Sequence, residues 1–223
     1  MSPMKLPLIA LLLISPLALA DSPKSIDKVN GAIRTEAGTE YGDLDTVNGS
    51  ISVDDGVIAR DVSTVNGGVT LDDGAVVDNV ETVNGGVGIG EKVLVKHDVE
   101  TVNGGIRLGR GSQVGGNVET VNGGISLKAA EVQQDIITVN GSINVGEDSV
   151  VHGGITVKKP NKSGWGWGWG SKPKPPRVTI GPNAVVKGTL LFEREVELLV
   201  HPSAKIGPVR GEEPIRLDAN VER

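Results

Sequence analysis

The sequence contains no cysteine and very few of the large side chains that usually fill a protein core. Its 223 residues include one Phe, one Tyr, three Trp and two Met, beside 32 Gly. The absence of cysteine excludes disulfides, thiolate metal sites and cysteine nucleophiles. Because aromatic residues are scarce, Val, Ile and Leu must supply the buried apolar area, and these residues suit pleated β-structure. The composition therefore favours a β-fold whose narrow interior is filled by stacked, medium-sized side chains.

The sequence also lacks a basic excess and an apolar run long enough to cross a membrane. The formal net charge of −6 argues against a nucleic-acid partner, because proteins of that class present a basic face. An apolar run over residues 6–13 follows Lys5 and precedes a helix-breaking Pro16 and a small-residue motif ending at Ala20. This is the pattern of a secretory signal peptide. We expect cleavage near Ala20, which places the mature protein in the periplasm, in the medium or on the cell surface.

A repeat of 18 or 19 residues dominates the rest of the chain, and such self-similarity indicates a solenoid. Residues 65–71 alternate apolar with polar or small side chains, which is the period of a β-strand, and turns follow at Asp72-Asp73-Gly74 and Asp78-Asn79. The pattern predicts an all-β, single-stranded parallel β-helix with three short strands per coil. The repeat is marked by an Asn-Gly pair whose Asn falls at Asn30, Asn48, Asn66, Asn84, Asn103, Asn122 and Asn140.

The aligned repeats give three apolar columns, which we expect to stack along the rod and fill its interior, because no single coil can bury its own apolar face. The first is Val47, Val65, Val83, Val102, Val121 and Val139; the second is Ile51, Val69, Val87, Ile106, Ile125 and Ile143; the third is Val53, Leu71, Ile89, Leu108, Leu127 and Val145. The seven Asn are assigned to a structural corner ladder. Gly accepts a positive φ at a corner, Asn tolerates one, and stacked Asn amides hydrogen-bond from coil to coil.

A segment of different composition, residues 158–177, interrupts the repeat without ending it. Thr156-Val157 is placed in the Thr-Val position of an eighth coil, so that Lys158-Lys159 replace Asn-Gly, and residues 178–180 match residues 69–71. Further on, Phe192, Val196 and Leu198 are assigned to the columns of Val83, Val87 and Ile89. The register therefore predicts a loop ejected from one corner of a continuous rod.

The loop is the candidate interaction site. Exposed Trp suits glycan rings, the headgroup layer of a membrane or an apolar groove of another protein, and the surrounding cations add charge. The alternative is a disordered, low-complexity spacer. The candidate residues are Trp165, Trp167, Trp169, Lys158, Lys159, Lys162, Lys172, Lys174 and Arg177.

The remaining polar residues indicate no catalytic or metal centre. His97, His152 and His201 fall on different columns. Acidic pairs such as Asp54-Asp55 share a turn column with Arg110 and other cations, so we expect no carboxylate cage for calcium. No nucleophile, base and orienting group share one neighbourhood. We therefore expect a protein that is not an enzyme and needs no cofactor or metal.

The predicted organisation follows from these patterns. The chain is divided into a signal peptide (1–20), a lead-in (21–28), the solenoid (29–157), the loop (158–177), the continued solenoid (178–209) and a charged tail or cap (210–223). Polar ends would cover the open strand edges, which favours a monomer or small oligomer over a filament.

The phrase Val-Glu-Thr-Val-Asn-Gly-Gly-Ile, at 99–106 and again at 118–125, resembles the β-strand-repeat adhesin family of bacterial envelopes. The stacked short strands also resemble the bactofilins, polymer-forming solenoids of the cytoskeleton. We expect a structural or adhesin-like protein that binds an envelope glycan, a membrane surface or an envelope protein through its flanks and the loop. The resemblance covers about residues 29–209 and implies a right-handed, three-faced β-helix with a structural or scaffolding role. It also leaves an end-to-end polymer as an alternative.

A third family competes with these two, the left-handed hexapeptide-repeat acyltransferases. Val65, Leu71, Val77 and Val83 step by six, as hexapeptide repeats do. Export away from acyl-CoA disfavours that activity.

Overall fold

A computed structural model describes residues 22–160 and 174–217, and within these ranges every regular element is a β-strand. The strands form three parallel sheets, A, B and C, which the chain visits in turn as it winds along a rod. Sheets A and B have ten strands each and sheet C has seven. The predicted all-β parallel solenoid is confirmed. The predicted three strands are present in seven coils, and the first two coils and the last described coil have strands in sheets A and B only.

The strand bounds show how short each element is. Sheet A contains β1 (Lys24–Asn30), β3 (Tyr41–Asn48), β5 (Asp61–Asn66), β8 (Asn79–Asn84), β11 (Val99–Thr101), β14 (Val118–Thr120), β17 (Ile136–Thr138), β20 (Ile155–Val157), β23 (Leu190–Phe192) and β26 (Val209–Gly211). Sheet B contains β2 (Ile33–Arg34), β4 (Ile51–Val53), β6 (Val69–Leu71), β9 (Val87–Ile89), β12 (Ile106–Leu108), β15 (Ile125–Leu127), β18 (Ile143–Val145), β21 (Arg177–Ile180), β24 (Glu197–Val200) and β27 (Ile215–Leu217). Sheet C contains β7 (Val76–Val77), β10 (Leu94–Val95), β13 (Gln113–Val114), β16 (Glu131–Val132), β19 (Val150–Val151), β22 (Val185–Val186) and β25 (Lys205–Ile206).

The second and third predicted columns lie on sheet B and form part of the core. Ile106, for example, pairs with Val87 on one side and Ile125 on the other, and Leu108 pairs with Ile89 and Leu127. All twelve residues of the two columns are buried. The inward side chains of sheets A and C complete the core, which is one continuous cluster along the rod.

The first predicted column, by contrast, faces outward, so its assignment to the interior is wrong. Val47, Val65, Val83 and Val102 are 40–41% exposed, and Val121 and Val139 are half-buried. Their place inside is taken by the preceding Thr, which is buried at 0–4% exposure in the same six coils. A strand alternates its side chains between two faces, so Val80 and Thr82 point inward while Glu81 and Val83 point outward.

The buried Thr hydroxyls are satisfied by the carbonyl of a corner glycine in the preceding coil. Thr101 Oγ1 donates to Gly85 O at 2.8 Å, and Thr120 Oγ1 donates to Gly104 O at 2.9 Å. Thr138 Oγ1 is buried and has no hydrogen-bond partner among the described residues. The column is therefore polar because the corner carbonyls accept its hydroxyls.

We expect the isosteric change Thr101→Val to lower the free energy of unfolding by about 1 kcal/mol, because it removes a buried hydrogen bond. The same change at Thr138 should leave the stability unchanged or raise it, since an unsatisfied buried hydroxyl is replaced by a methyl group. Urea denaturation followed by circular dichroism measures both. Equal losses from the two variants would contradict the role assigned to these hydroxyls.

The corner glycines are required by close contact and not by the positive φ predicted for them. Of the seven Gly that follow the ladder Asn, Gly31 alone has a positive φ. A Cβ placed on Gly67 would collide with the carbonyl oxygen of Gly49 in the preceding coil. Left-handed backbone occurs instead at the turn between sheets B and C, for example at Gly74 (φ 71°).

The rod resumes after residues 158–177, as predicted, but the register around this segment differs from the prediction. Val157 pairs with Thr138, so it occupies the Thr position and Lys158 the Val position, one residue earlier than predicted. Phe192 pairs with Val157 and belongs to the same inward column, not to that of Val83. Leu198 pairs with Val178 and therefore lies in the column of Val87, which had been assigned to Val196. Each shift keeps apolar side chains inside.

The ordered rod is longer than the predicted solenoid limits. β1 begins at Lys24, within residues 21–28, and β27 ends at Leu217, within residues 210–223. Thr35 is buried where the later coils have Val53 and its equivalents, and its hydroxyl accepts the Asp54 N–H at 2.8 Å. The predicted signal peptide lies outside the described residues.

Candidate interaction site

The Asn of the repeat form a continuous side-chain ladder along the corner between sheets A and B. Each Nδ2 donates to the Oδ1 of the Asn one coil earlier, over distances of 2.8–3.1 Å. The ladder runs from Asn30 to Asn140, where Arg194 Nη1 donates to Asn140 Oδ1 at 3.0 Å. These amides are occupied along the rod axis, so they stabilise the stacking of the coils.

A second ladder, at the corner between sheets C and A, was not predicted from the sequence. Asn79 Nδ2 donates to Asp61 Oδ1 at 2.8 Å, and the Asp98 carboxylate accepts the Asn117 N–H at 2.6 Å. Asn117 and Asp135 continue the series by accepting backbone N–H groups of the following coils. The signal was present in the sequence as a recurring Asn or Asp, but the alternation between the two residue types conceals the column.

The candidate loop leaves and returns at the corner that carries the Asn ladder. β20 ends on sheet A at Val157 and β21 begins on sheet B at Arg177. Lys158 Nζ lies 2.8 Å from Glu119 Oε1, and Arg177 Nε lies 3.0 Å from Glu197 Oε2. Two of the predicted interaction cations therefore hold the ends of the loop against the rod.

Among the other candidate residues, the structure describes Lys159 and Lys174. Lys159 is exposed, and its backbone N–H donates to Glu193 Oε2 at 3.0 Å. Lys174 is exposed and, with Pro160, Asn140 and Arg194, lines a cleft of about 1070 Å³ at the base of the loop. Trp165, Trp167, Trp169, Lys162 and Lys172 lie outside the described residues.

The outer face of sheet A carries two neighbouring columns of opposite character. One is the valine ridge, defined as Val29, Val47, Val65, Val83 and Val102 with the half-buried Val121 and Val139. The other is the carboxylate column, in which Glu81, Glu100 and Glu119 stand in direct register on three successive strands. Burial raises the pKa of Glu100, and the Glu81, Glu119 and Asp98 carboxylates raise it further, while Lys158 lowers it.

A second acidic group lies at the turn between sheets B and C. Carboxylate oxygens of Asp54, Asp55 and Asp72 lie within 4.8 Å of one another, which the alternating charges of this turn column had not led us to expect. Partial burial raises the pKa of Asp72, with added contributions from Asp54, Asp55 and Asp73. Asp55 Oδ1 accepts the Asp73 N–H at 3.0 Å, so this carboxylate also serves to join successive coils.

The histidines lie apart from one another. His152 contacts Glu131 through Nε2, and its Nδ1 lies 2.9 Å from Lys187 Nζ. His201 Nδ1 and Ser203 Oγ are 2.8 Å apart within a local turn, and Ser203 Oγ also accepts the Asn183 N–H. Within the described residues, no carboxylate forms a hydrogen bond to His201, so the arrangement lacks the orienting group of a hydrolytic triad.

These observations define the class of protein as a parallel β-solenoid with corner ladders and a two-column face on sheet A. No family model, curated protein or solved structure matches the chain. In the part of the chain that the structure describes, no helix has the length and hydropathy needed to span a membrane.

Proposed function

We propose that the chain is an exported, non-catalytic structural or adhesin-like solenoid of the bacterial cell envelope, acting as a monomer or small oligomer. Its loop, residues 158–177, binds an envelope glycan, a membrane surface or an envelope protein. The predicted signal peptide and the resemblance of the repeat to envelope adhesins support the location.

One observation carries the proposal. The rod is continuous on both sides of the loop, because β18 pairs with β21 and β20 pairs with β23. The loop ends are held at one corner by the Lys158–Glu119 and Arg177–Glu197 ion pairs. The pairing of these strands uses only the ends of the segment, at Lys158, Pro176 and Arg177. The part between them contains every Trp of the chain and is best explained by a partner outside the rod.

We expect that replacing residues 160–176 by one glycine leaves the rod intact and removes envelope binding. The resulting connection, Lys158-Lys159-Gly-Arg177, has as many residues as the segment 139–142 of the preceding coil. In the register of the sheet, Ser142 is aligned with Arg177. Because the connection is shorter, the thermal midpoint should stay the same or rise slightly. Co-sedimentation with cell-wall and outer-membrane fractions should fall about ten-fold, as expected when aromatic anchors are lost.

A triple Trp→Ser variant separates the aromatic contribution from the charges, because it keeps all six cations. If salt abolishes binding and the triple variant binds normally, charge attraction alone accounts for the interaction. If the shortened protein binds as the full chain does, the loop is a spacer. If it unfolds, the loop contributes to the core.

An end-to-end polymer is the second candidate. Ile215 in the last strand of sheet B is 45% exposed, and Val200, Ala204, Ile206 and Val209 are only partly buried in the last coils. Apolar side chains at an open strand edge favour pairing with another chain. Electron microscopy of the purified protein distinguishes single rods from filaments.

A further inference from the structure

We propose that the outer face of sheet A is a second binding surface, and that its partner is a basic amphipathic helix of another protein. The surface, called here the acidic strip, consists of the valine ridge and the carboxylate column. It lies on described residues alone and does not depend on the role proposed for the loop.

The valine ridge gives the strip its apolar half. Val83 and Val102 are each 40% exposed and belong to a column that repeats in every coil from the first to the seventh. At a rung spacing of about 4.8 Å the ridge extends for roughly 30 Å. Its five exposed members, from Val29 to Val102, form a continuous apolar column of about 19 Å. Such a column is unusual for a surface that meets only water, and it suits a partner that buries it.

The carboxylate column gives the strip its charge. Glu81 and Glu100 stand on adjacent rungs, and neither forms an ion pair with a described residue. Together with Asp61, Asn79 and Asp98 they line a shallow cleft of about 290 Å³ on the side of the column away from the ridge. Cationic groups would relieve the repulsion between the stacked carboxylates, so charge complementarity selects a basic partner.

Lys158 already occupies the end of the strip in the way proposed for the partner. Its backbone lies in the valine position of the eighth coil, and its Nζ binds Glu119 two rungs earlier, at 2.8 Å. The aliphatic stem therefore spans the rung of Val139 while the ammonium pairs with the column. A lysine beside aliphatic residues thus fits both halves of the strip.

The rung spacing favours a helix over an extended segment. Same-face side chains of an extended strand recur every ~6.7 Å, so they would lose step with ~4.8 Å rungs after two or three pairs. One turn of an α-helix advances ~5.4 Å, a mismatch of ~0.6 Å per rung that a flexible Lys side chain can absorb. The helix would lie parallel to the rod, with Lys or Arg along one edge of its apolar stripe.

The test uses the full mature chain and a labelled helical peptide of about five turns, with adjacent Leu and Lys stripes and Gln elsewhere. Fluorescence anisotropy measures the dissociation constant. We expect Glu81→Gln with Glu100→Gln to raise it about ten-fold, and Val83→Ser with Val102→Ser to raise it about five-fold. The matched control, Asp54→Asn with Asp55→Asn, removes two charges from another corner and should change it less than about two-fold.

Several results would overturn the proposal. These are no binding below about 1 mM, equal effects of the Glu variant and its Asp control, or no effect of the Val variant. A peptide of the same composition with scrambled stripes must bind more weakly and the bound striped peptide must gain helicity. Tighter binding of a peptide with the sequence of residues 158–177 would instead identify the loop of a second copy as the occupant.

Discussion

Placing a methyl group on Gly85 should abolish the stability of the central coils. A Cβ at this position would collide with the carbonyl oxygen of Gly67 in the preceding coil, and both groups belong to the backbone. Neither can move aside without separating two successive coils. That separation would break the hydrogen bonds that join their strands within sheet A and within sheet B. We expect Gly85→Ala to lower the free energy of unfolding by about 4 kcal/mol or more, or to prevent folding.

Gly88 of the same coil provides the matched control. It lies on the outer face of sheet B, has no positive φ, and a Cβ there would meet no atom within 4 Å. Gly88→Ala should therefore leave stability unchanged or raise it by about 0.5 kcal/mol, because Ala loses less conformational freedom in a strand. Urea denaturation of both variants gives the comparison. Similar midpoints for the two would show that neighbouring rungs tolerate the extra methyl group at the corner.

The period of the repeat predicted the architecture well because a solenoid stacks equivalent residues. Ile106 and Leu108 lie nineteen residues from the equivalent residues of the two neighbouring repeats, and they pair with those residues in sheet B. The continuation after the loop was also predictable, since residues 178–180 repeat the apolar, polar, apolar pattern of residues 69–71. Alignment of columns is therefore sufficient for the fold.

Alignment does not reveal which face of a strand each column occupies. A shift of one residue exchanges the two faces of a strand. The spacing of the Thr-Val pairs is therefore the same whether Thr or Val faces the core. Val was assigned inside on hydrophobicity, but Thr82 is the buried member because a corner carbonyl accepts its hydroxyl. The acidic Glu81 could have decided the matter, because a carboxylate that faces solvent places Val83 on the same outer face.

The acidic strip could not be predicted from the sequence for the same reason. As long as the valine column was assigned to the core, the carboxylates beside it were only separate surface charges. Once Val102 is outside, Glu100 and Val102 become neighbours on one face, and their repetition from coil to coil forms a surface. The ion pair between Lys158 and Glu119 spans 39 residues and also depends on the exact register.

Removing the ring of Phe192 should destabilise the coils that follow the loop more than those that precede it. Phe192 is fully buried in the inward column of sheet A, where the preceding strand contributes Val157 and the following strand contributes Gly211, which has no side chain. The ring therefore closes the end of this column. We expect Phe192→Ala to cost about 3–5 kcal/mol, because it leaves a cavity that backbone pairing on both sides keeps from collapsing.

The loss should be local, because each coil of a solenoid contacts only its neighbours. Amide hydrogen exchange should show β21 to β27 losing protection while β3 to β12 keep theirs. Leu191→Ala is the control, since Leu191 lies on the same strand, points to the outer face and is half-buried, and its cost should be about 1 kcal/mol or less. If both variants lose protection equally along the whole rod, the solenoid unfolds as one unit and the terminal coils have no separate stability. If Phe192→Ala keeps full protection in β21 to β27, the ring does not close the core, and the register that places it in the column of Val157 is wrong.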